Sequence, residues 1–256
     1  MVEGPTAHAY SMKIKREMLS EKINNIFYRS KKVYVARDDL IGKKISDSET
    51  IGKNILIHVD GYTIRIHLML YGSIHIYGKD DKLLKPFEKV RLLIEGNEKK
   101  LVVYNAPIVE IGYRNKILDS LNALGPDPLR DDWDREEAIK RIKMHKGVKI
   151  GVVLLDQNVI AGIGNILRNE ILFRAGVHPE RLVDDLRDEE IEKIVDISRE
   201  LMNKFLELKI ARKRIKPLLY VYNRYNKKCK ICGNPIKFYI QSEVGRKTFV
   251  CEHCQK

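Results

Sequence analysis

The chain has 256 residues, with 48 Lys+Arg against 35 Asp+Glu and a formal net charge of +13. That length suits two domains plus a small appendage, and the cationic excess points to a polyanionic partner. No run of about 18 apolar residues occurs, Met1-Val2-Glu3-Gly4-Pro5 is not a secretory signal, and no repeat is visible, so a membrane span, a leader and a solenoid are not expected.

Residues 1–20 open with a turn-like Gly4-Pro5, and a short helix follows with Met12, Met18 and Leu19 as its apolar points. From about Lys22 to Tyr113 the pattern has period two. Ile55-Leu56-Ile57-His58-Val59, then Asp60-Gly61, then Tyr62-Thr63-Ile64-Arg65-Ile66-His67 reads as a hairpin, because Asp-Gly supplies the positive-φ positions of a type I′ turn. Ser73–Tyr77, Lys89–Ile94 and Leu101–Tyr104 continue the strands. Short strands at this spacing predict a β-sandwich or barrel.

Past Ile117 the period becomes helical, with Leu118, Leu121 and Leu124 three apart until Gly125-Pro126-Asp127-Pro128 breaks the run. Asp134 precedes Arg135-Glu136-Glu137-Ala138-Ile139 as a capped helix start. Gly162-Ile163-Gly164-Asn165 is a glycine-rich turn before Ile166-Leu167-Arg168-Asn169-Glu170. It reads either as an anion site at a helix N-terminus or as an ordinary tight turn. Ile191, Ile194, Val195, Ser198, Leu201, Met202 and Phe205 form one face of a long helix, and Asp188-Glu189-Glu190 suit its positive end.

From Leu208 to Ser242 there is no acidic residue, yet Lys209, Arg212, Lys213, Arg214, Lys216, Arg224, Lys227, Lys228, Lys230 and Lys237 all fall there. Such a run is the footprint of a nucleic-acid binder, or else a solvated Lys-rich surface. All four cysteines follow as Cys229-x2-Cys232 and Cys251-x2-Cys254, with eighteen residues between the pairs. This is a four-thiolate zinc signature for one structural Zn2+; two disulfides are the alternative. Ile236–Ile240 and Lys247–Val250 read as the strands of a zinc-held hairpin. The chain is thus a β domain, a helical domain and a zinc hairpin.

Four segments, in order and end to end, resemble the formamidopyrimidine-DNA glycosylase / endonuclease VIII family. They are Glu3-Gly4-Pro5; Gly52-Lys53 leading into Asn54-Ile55-Leu56-Ile57; Gly162-Ile163-Gly164-Asn165 with Asn169-Glu170; and the terminal finger with Gly245-Arg246-Lys247-Thr248-Phe249 and Cys254-Gln255-Lys256. The resemblance implies an α+β multidomain protein. Its parts would be an N-terminal β-sandwich over 1–115 with a short helix, a helix–two-turn–helix domain over 116–222, and a four-cysteine zinc-finger β-hairpin over 223–256. It implies a bifunctional DNA glycosylase and abasic-site lyase that flips a damaged nucleotide out of the duplex.

The resemblance also implies residue roles. Val2, once Met1 is removed, supplies the nucleophilic α-amine. An α-amine has a pKa of about 7.7–8.0 against about 10.4 for lysine, so at neutral pH it holds far more free base. Glu3 transfers protons, and Lys53 places a charge beside the flipped nucleotide or its phosphate. Asn165 and Arg246 grip the flanking phosphates. Met69, Leu70 and Tyr71 stand where the endonuclease VIII branch carries its wedge, although read alone they would be strand core. Met69 departs from the polar residue usual in that branch.

Other departures are Val2 for the usual proline, as in one animal endonuclease VIII-like branch, and Thr6 for a carboxylate. Valine gives an imine without permanent charge, so β-elimination is expected to dominate. Tyr104-Asn105-Ala106-Pro107-Ile108-Val109 lacks the Arg-Phe pair of the formamidopyrimidine branch, and Lys209–Tyr225 is short for its purine-covering loop. Both favour oxidised pyrimidines. The expected partner is damaged DNA, double- or single-stranded, bound by a monomer without membrane contact. The expected setting is a prokaryotic cytoplasm at the nucleoid, and the wealth of Lys, Glu and Ile leans toward a thermophile. A non-catalytic zinc-finger nucleic-acid binder needs only the charge and the cysteines, and a lesion-binding relative without turnover accommodates Val2 and Thr6.

Overall fold

The computed structural model describes residues 2–256; Met1, and with it the expected removal of Met1, lies outside the described residues. The chain divides into two compact units. One holds Val2 and residues 6–123, the other residues 3–5 and 124–256.

Helix α1 (Gly4–Met18) begins at the Gly4-Pro5 pair itself, so these residues are the first turn of the helix and not a turn before it. Proline is tolerated there because that N–H has no helical partner in any case. Ala7, Ile14 and Met18 recur at helical spacing and are fully buried.

The first unit is a sandwich of two sheets. β1 (Asn25–Tyr28), β7 (Val90–Glu95), β8 (Lys99–Tyr104) and β6 (Ser73–Gly78) form one, in that order. β2 (Lys32–Val33), β9 (Ile108–Tyr113), β5 (Tyr62–His67), β4 (Asn54–Val59) and β3 (Ile45–Ile51) form the other. Ile55, Ile57, Ile64, Ile66 and Ile111 of one sheet meet Ile74, Leu92, Ile94, Leu101 and Val103 of the other in one core. The Asp60-Gly61 hairpin forms as expected. Val59 pairs with Tyr62, and the two turn residues take φ of 35° and 82°.

The alternation of β3 is not apolar, which hid it in the sequence. Its inward residues Ser48 and Thr50 face α1 through hydrogen bonds, Ser48 Oγ to Ser11 Oγ at 2.9 Å and Thr50 Oγ1 to His8 Nδ1 at 3.1 Å. α2 (Arg114–Asp119) also differs from expectation. It starts before Ile117 and ends before Leu121 and Leu124, which lie in the turns that follow. The three-residue leucine spacing therefore marks no helix face.

The second unit contains α3 (Arg135–Lys143), α4 (Ile150–Val153), α5 (Asn165–Ala175), α6 (Asp188–Ile210) and the hairpin β10 (Lys237–Gln241) with β11 (Arg246–Val250). The Asp134 side chain accepts the Glu137 N–H at 2.8 Å, the expected N-cap. The buried residues of α6 are Ile191, Ile194, Val195, Ser198, Leu201, Met202 and Phe205, the face read from the sequence. They pack with Leu167, Ile171 and Leu172 of α5. Phe173, on another side of α5, joins Val221, Ile236, Phe249 and the cysteines in a separate small core under the hairpin. Among the described residues no helix is long and apolar enough to cross a membrane.

Candidate active site

In the second unit a buried carboxylate meets the start of α5. Its first N–H groups lack helical partners, and the anion they bind is a carboxylate of the chain itself. Glu3 Oε1 accepts the Ile166 N–H at 2.7 Å and Glu3 Oε2 the Leu167 N–H at 3.1 Å. The anion reading of the Gly162–Asn165 turn was thus correct in its physics, but the helix end is taken by Glu3 and not by an external phosphate. Glu3 is 1 % exposed. Gly4 N–H donates to the Gly162 carbonyl at 2.9 Å, which locks the strand of chain carrying Glu3 against the turn. Gly164 is required by space: a Cβ there would lie 2.5 Å from Glu3 Cδ.

A second side of α5 carries the hairpin. Asn165 Nδ2 donates to the Lys247 carbonyl at 2.9 Å. Arg168, fully buried, donates to Thr248 Oγ1 and Gln241 Oε1, both at 2.7 Å, and to the carbonyls of Gly151 and Lys247, both at 3.2 Å. Asn169 Oδ1 accepts the Phe249 N–H at 2.7 Å. Residues i, i+3 and i+4 of the helix thus read one edge of β11. Burial lowers the Arg168 pKa to about 10, which leaves it cationic at neutral pH. Glu170 anchors the basic linker by accepting the N–H groups of Tyr220, Val221 and Tyr222 at 2.8–3.0 Å. Burial pushes its carboxyl upward, opposed by those three donors.

Arg246 stands exposed beside the hairpin turn, paired with Gln241. Asn165 sits differently from expectation. It is 5 % exposed, its Nδ2 is committed to Lys247, and its Oδ1 is buried without a hydrogen-bond partner among the described residues.

The first unit supplies a separate set of groups around one turn. Met69, Leu70 and Tyr71 form the β5–β6 turn and are 46, 43 and 81 % exposed, so they are not strand core. The Val2 nitrogen donates to the Met69 carbonyl at 3.2 Å. Met69 N–H in turn donates to His67 Nδ1 at 3.2 Å, which leaves the His67 proton on Nε2. Burial, and after it the charges of Lys53 in the β3–β4 turn and of Arg65, lower the His67 pKa to about 4. Arg65 braces this floor through Asn54 Oδ1 at 2.9 Å and Glu110 Oε2 at 3.1 Å. The Thr6 hydroxyl is buried and makes no hydrogen bond among the described residues.

The four cysteines are not joined in disulfides, and their sulfurs lie within 4.8 Å of one another. Cys229 and Cys254 are 3.9 Å apart and Cys232 and Cys251 3.4 Å, too far for disulfides. A tetrahedron with metal–sulfur bonds of about 2.3 Å has edges of about 3.8 Å, so the quartet fits a metal ion. Ile231 N–H and Asn234 Nδ2 each approach a sulfur at 3.4 Å, as donors to thiolates do.

Sequence reasoning missed His67, Arg168 and the clamp role of Glu170. His67 stands as the last residue of an alternating strand, and nothing in the local pattern of α5 marks its charges as buried. Only the register that pairs Asn54 with His67 brings His67 near Lys53.

Two family models match the chain: the formamidopyrimidine-DNA glycosylase N-terminal domain over residues 1–107, and the formamidopyrimidine-DNA glycosylase H2TH domain over residues 124–216. A formamidopyrimidine-DNA glycosylase of Wolbachia pipientis is 30 % identical over the whole of both chains. Endonuclease 8 1 of Mycobacterium bovis is 30 % identical over 84 % of this chain and 85 % of its own. A Lactococcus lactis Fpg solved with DNA carrying N7-benzyl-Fapy-dG has a TM-score of 0.89 at 23 % identity, covering 99 % of each chain.

His67 yields a test. Its folded pKa lies below the unfolded value, so between about 6.5 and about 4 the unfolded state binds more protons. Its contribution to stability is complete above pH 6.5 and is lost as pH falls toward 4. Urea midpoints for His67→Asn should therefore lose less than wild type across that window.

Proposed function

The chain belongs to the formamidopyrimidine-DNA glycosylase / endonuclease VIII family, and from that premise we propose that it is a base-excision-repair DNA glycosylase and abasic-site lyase, acting on oxidised bases and foremost on pyrimidines. The observation that carries this reading is the Glu3 carboxylate, gripped by the Ile166 and Leu167 N–H groups one residue after Val2. A proton-transfer group next in sequence to a terminal amine is what Schiff-base chemistry at a sugar carbon requires.

In this reading the Val2 amine, free after loss of Met1, attacks C1′ of the flipped nucleotide. The base departs with a proton, the C1′–O4′ bond opens as O4′ takes another, and an imine then joins Val2 to the opened sugar. Glu3 moves the protons. Loss of the C2′ proton then drives β-elimination, which breaks the C3′–O bond and releases the 3′-phosphate as the strand break. Valine gives a neutral imine on deprotonation, so β-elimination dominates over δ-elimination. Lys53 and His67 line the nucleotide's phosphate side, and the exposure of Met69, Leu70 and Tyr71 supports their role as the wedge that fills the void. Arg246 and Asn165 hold the flanking phosphates of damaged DNA, double- or single-stranded.

Residues 1–115 act as the catalytic domain, 116–222 as the helix–two-turn–helix domain and 223–256 as the finger. The metal is one structural zinc ion on Cys229, Cys232, Cys251 and Cys254, which organises the hairpin and does no chemistry. The protein works as a monomer at the prokaryotic nucleoid, in keeping with its bacterial relatives.

Borohydride trapping tests the chemistry. Protein with a free Val2 amine should form a covalent adduct with DNA carrying thymine glycol or an abasic site, and acetylation of the terminus should abolish it. No adduct with either DNA would refute the assignment. Zinc has its own test: chelation should remove about one zinc per chain and abolish DNA binding. Retained binding by metal-free protein would show that the finger is dispensable.

A further inference from the structure

A second cleft, of about 620 Å³, opens beside the cysteine cluster at the far end of α5. Its apolar wall is formed by Phe173 and Tyr220, whose rings lie 5.7 Å apart, and by Ile231. Ile231 stands between two zinc-site cysteines and is 68 % exposed, although it is a large aliphatic side chain. The cleft's other lining residues are Arg174, Gly176, Lys193, His253 and two of the cysteines, Cys232 and Cys254; no acidic residue lines it, although Arg174 lies 3.9 Å from the buried Glu170 carboxylate. Tyr220 lies between two cations, Arg174 at 4.8 Å and Lys230 at 4.6 Å from its ring. Lys193 projects from α6 and makes no ion pair among the described residues.

These groups are remote from the hairpin turn that carries Arg246. Asn165, which bonds the Arg246 strand, opens α5, whereas Phe173 and Arg174 close it. At 1.5 Å per residue the two ends of the helix are about 15 Å apart. The positive charge of the cleft is therefore not explained by the grip on lesion-flanking phosphates. A cleft of this volume is too small for a duplex but holds one or two large side chains. An apolar floor with a cationic rim is complementary to an acidic peptide with an aromatic anchor.

We propose that this cleft is a docking site for an acidic segment of a partner protein, with an aromatic side chain seated between Phe173, Tyr220 and Ile231 and its carboxylates facing Lys193 and Arg174. The site recruits the enzyme without competing with the DNA face.

The test uses the full-length, zinc-loaded protein and a fluorescein-labelled peptide, Asp-Glu-Asp-Phe-Asp-Glu-Phe, read by fluorescence anisotropy. Binding in the range of about 10–100 μM is expected. Replacing both Phe by Ala in the peptide, or introducing Lys193→Glu or Ile231→Asp in the protein, should weaken it at least about tenfold. Zinc content, melting temperature and affinity for abasic-site DNA should stay unchanged in both variants, and an abasic-site duplex should not displace the peptide. Absence of binding up to about 1 mM, unchanged affinity in both folded variants, or displacement by the duplex would overturn the proposal. The last outcome would assign the cleft to DNA.

Discussion

The carboxylate of Glu3 on the first turn of α5 is the interaction on which the second unit's site depends. Two backbone N–H groups and the positive end of an eleven-residue helix hold it. Hydrogen bonds to a charged group contribute about 1.5–3 kcal/mol each, and Glu3 is almost wholly out of water. Orientation follows from the same bonds. A carboxylate bound through both oxygens cannot swing away, so the residue after the proposed nucleophile is held in one position.

The same helix sets the hairpin. Asn165, Arg168 and Asn169 share one face and bond to Lys247, Thr248 and Phe249. A buried guanidinium is costly unless its donors find acceptors; the two terminal nitrogens of Arg168 find four, three of them on β10 or β11, while its Nε is left without one among the described residues. Glu170 adds the linker at Tyr220–Tyr222. Lys149 holds the hairpin from outside α5, bridging Glu180 at 2.7 Å and Glu243 of the turn at 2.6 Å. The cysteine cluster thus organises only the distal end of a hairpin whose near end is fixed by hydrogen bonds to helices.

Much of this was legible in the sequence. The Asp-Gly turn, the Asp134 cap, the buried face of α6 and the cysteine quartet each rest on a local rule, and each is found. What was hidden depends on non-local pairing. β3 lacks an apolar stripe because its inward Ser48 and Thr50 bond to α1. His67 acquires a role only when β5 is in register with β4. Arg168 carries no local sign of burial, because Gln241 and Thr248, which enclose it, lie more than seventy residues away. The glycine-rich turn announced an anion, and only the fold identified it as Glu3.

Gly164→Ala tests the role of that carboxylate most directly, because the added methyl occupies the space of the Glu3 side chain and removes no proposed DNA contact. The decisive measurement is the single-turnover rate of thymine glycol excision, taken beside affinity for abasic-site DNA and the melting temperature. A folded variant with DNA affinity within about threefold of wild type and a rate reduced at least about 100-fold is the predicted result. An unchanged rate in that variant would show that the grip of α5 on Glu3 does not govern the chemistry.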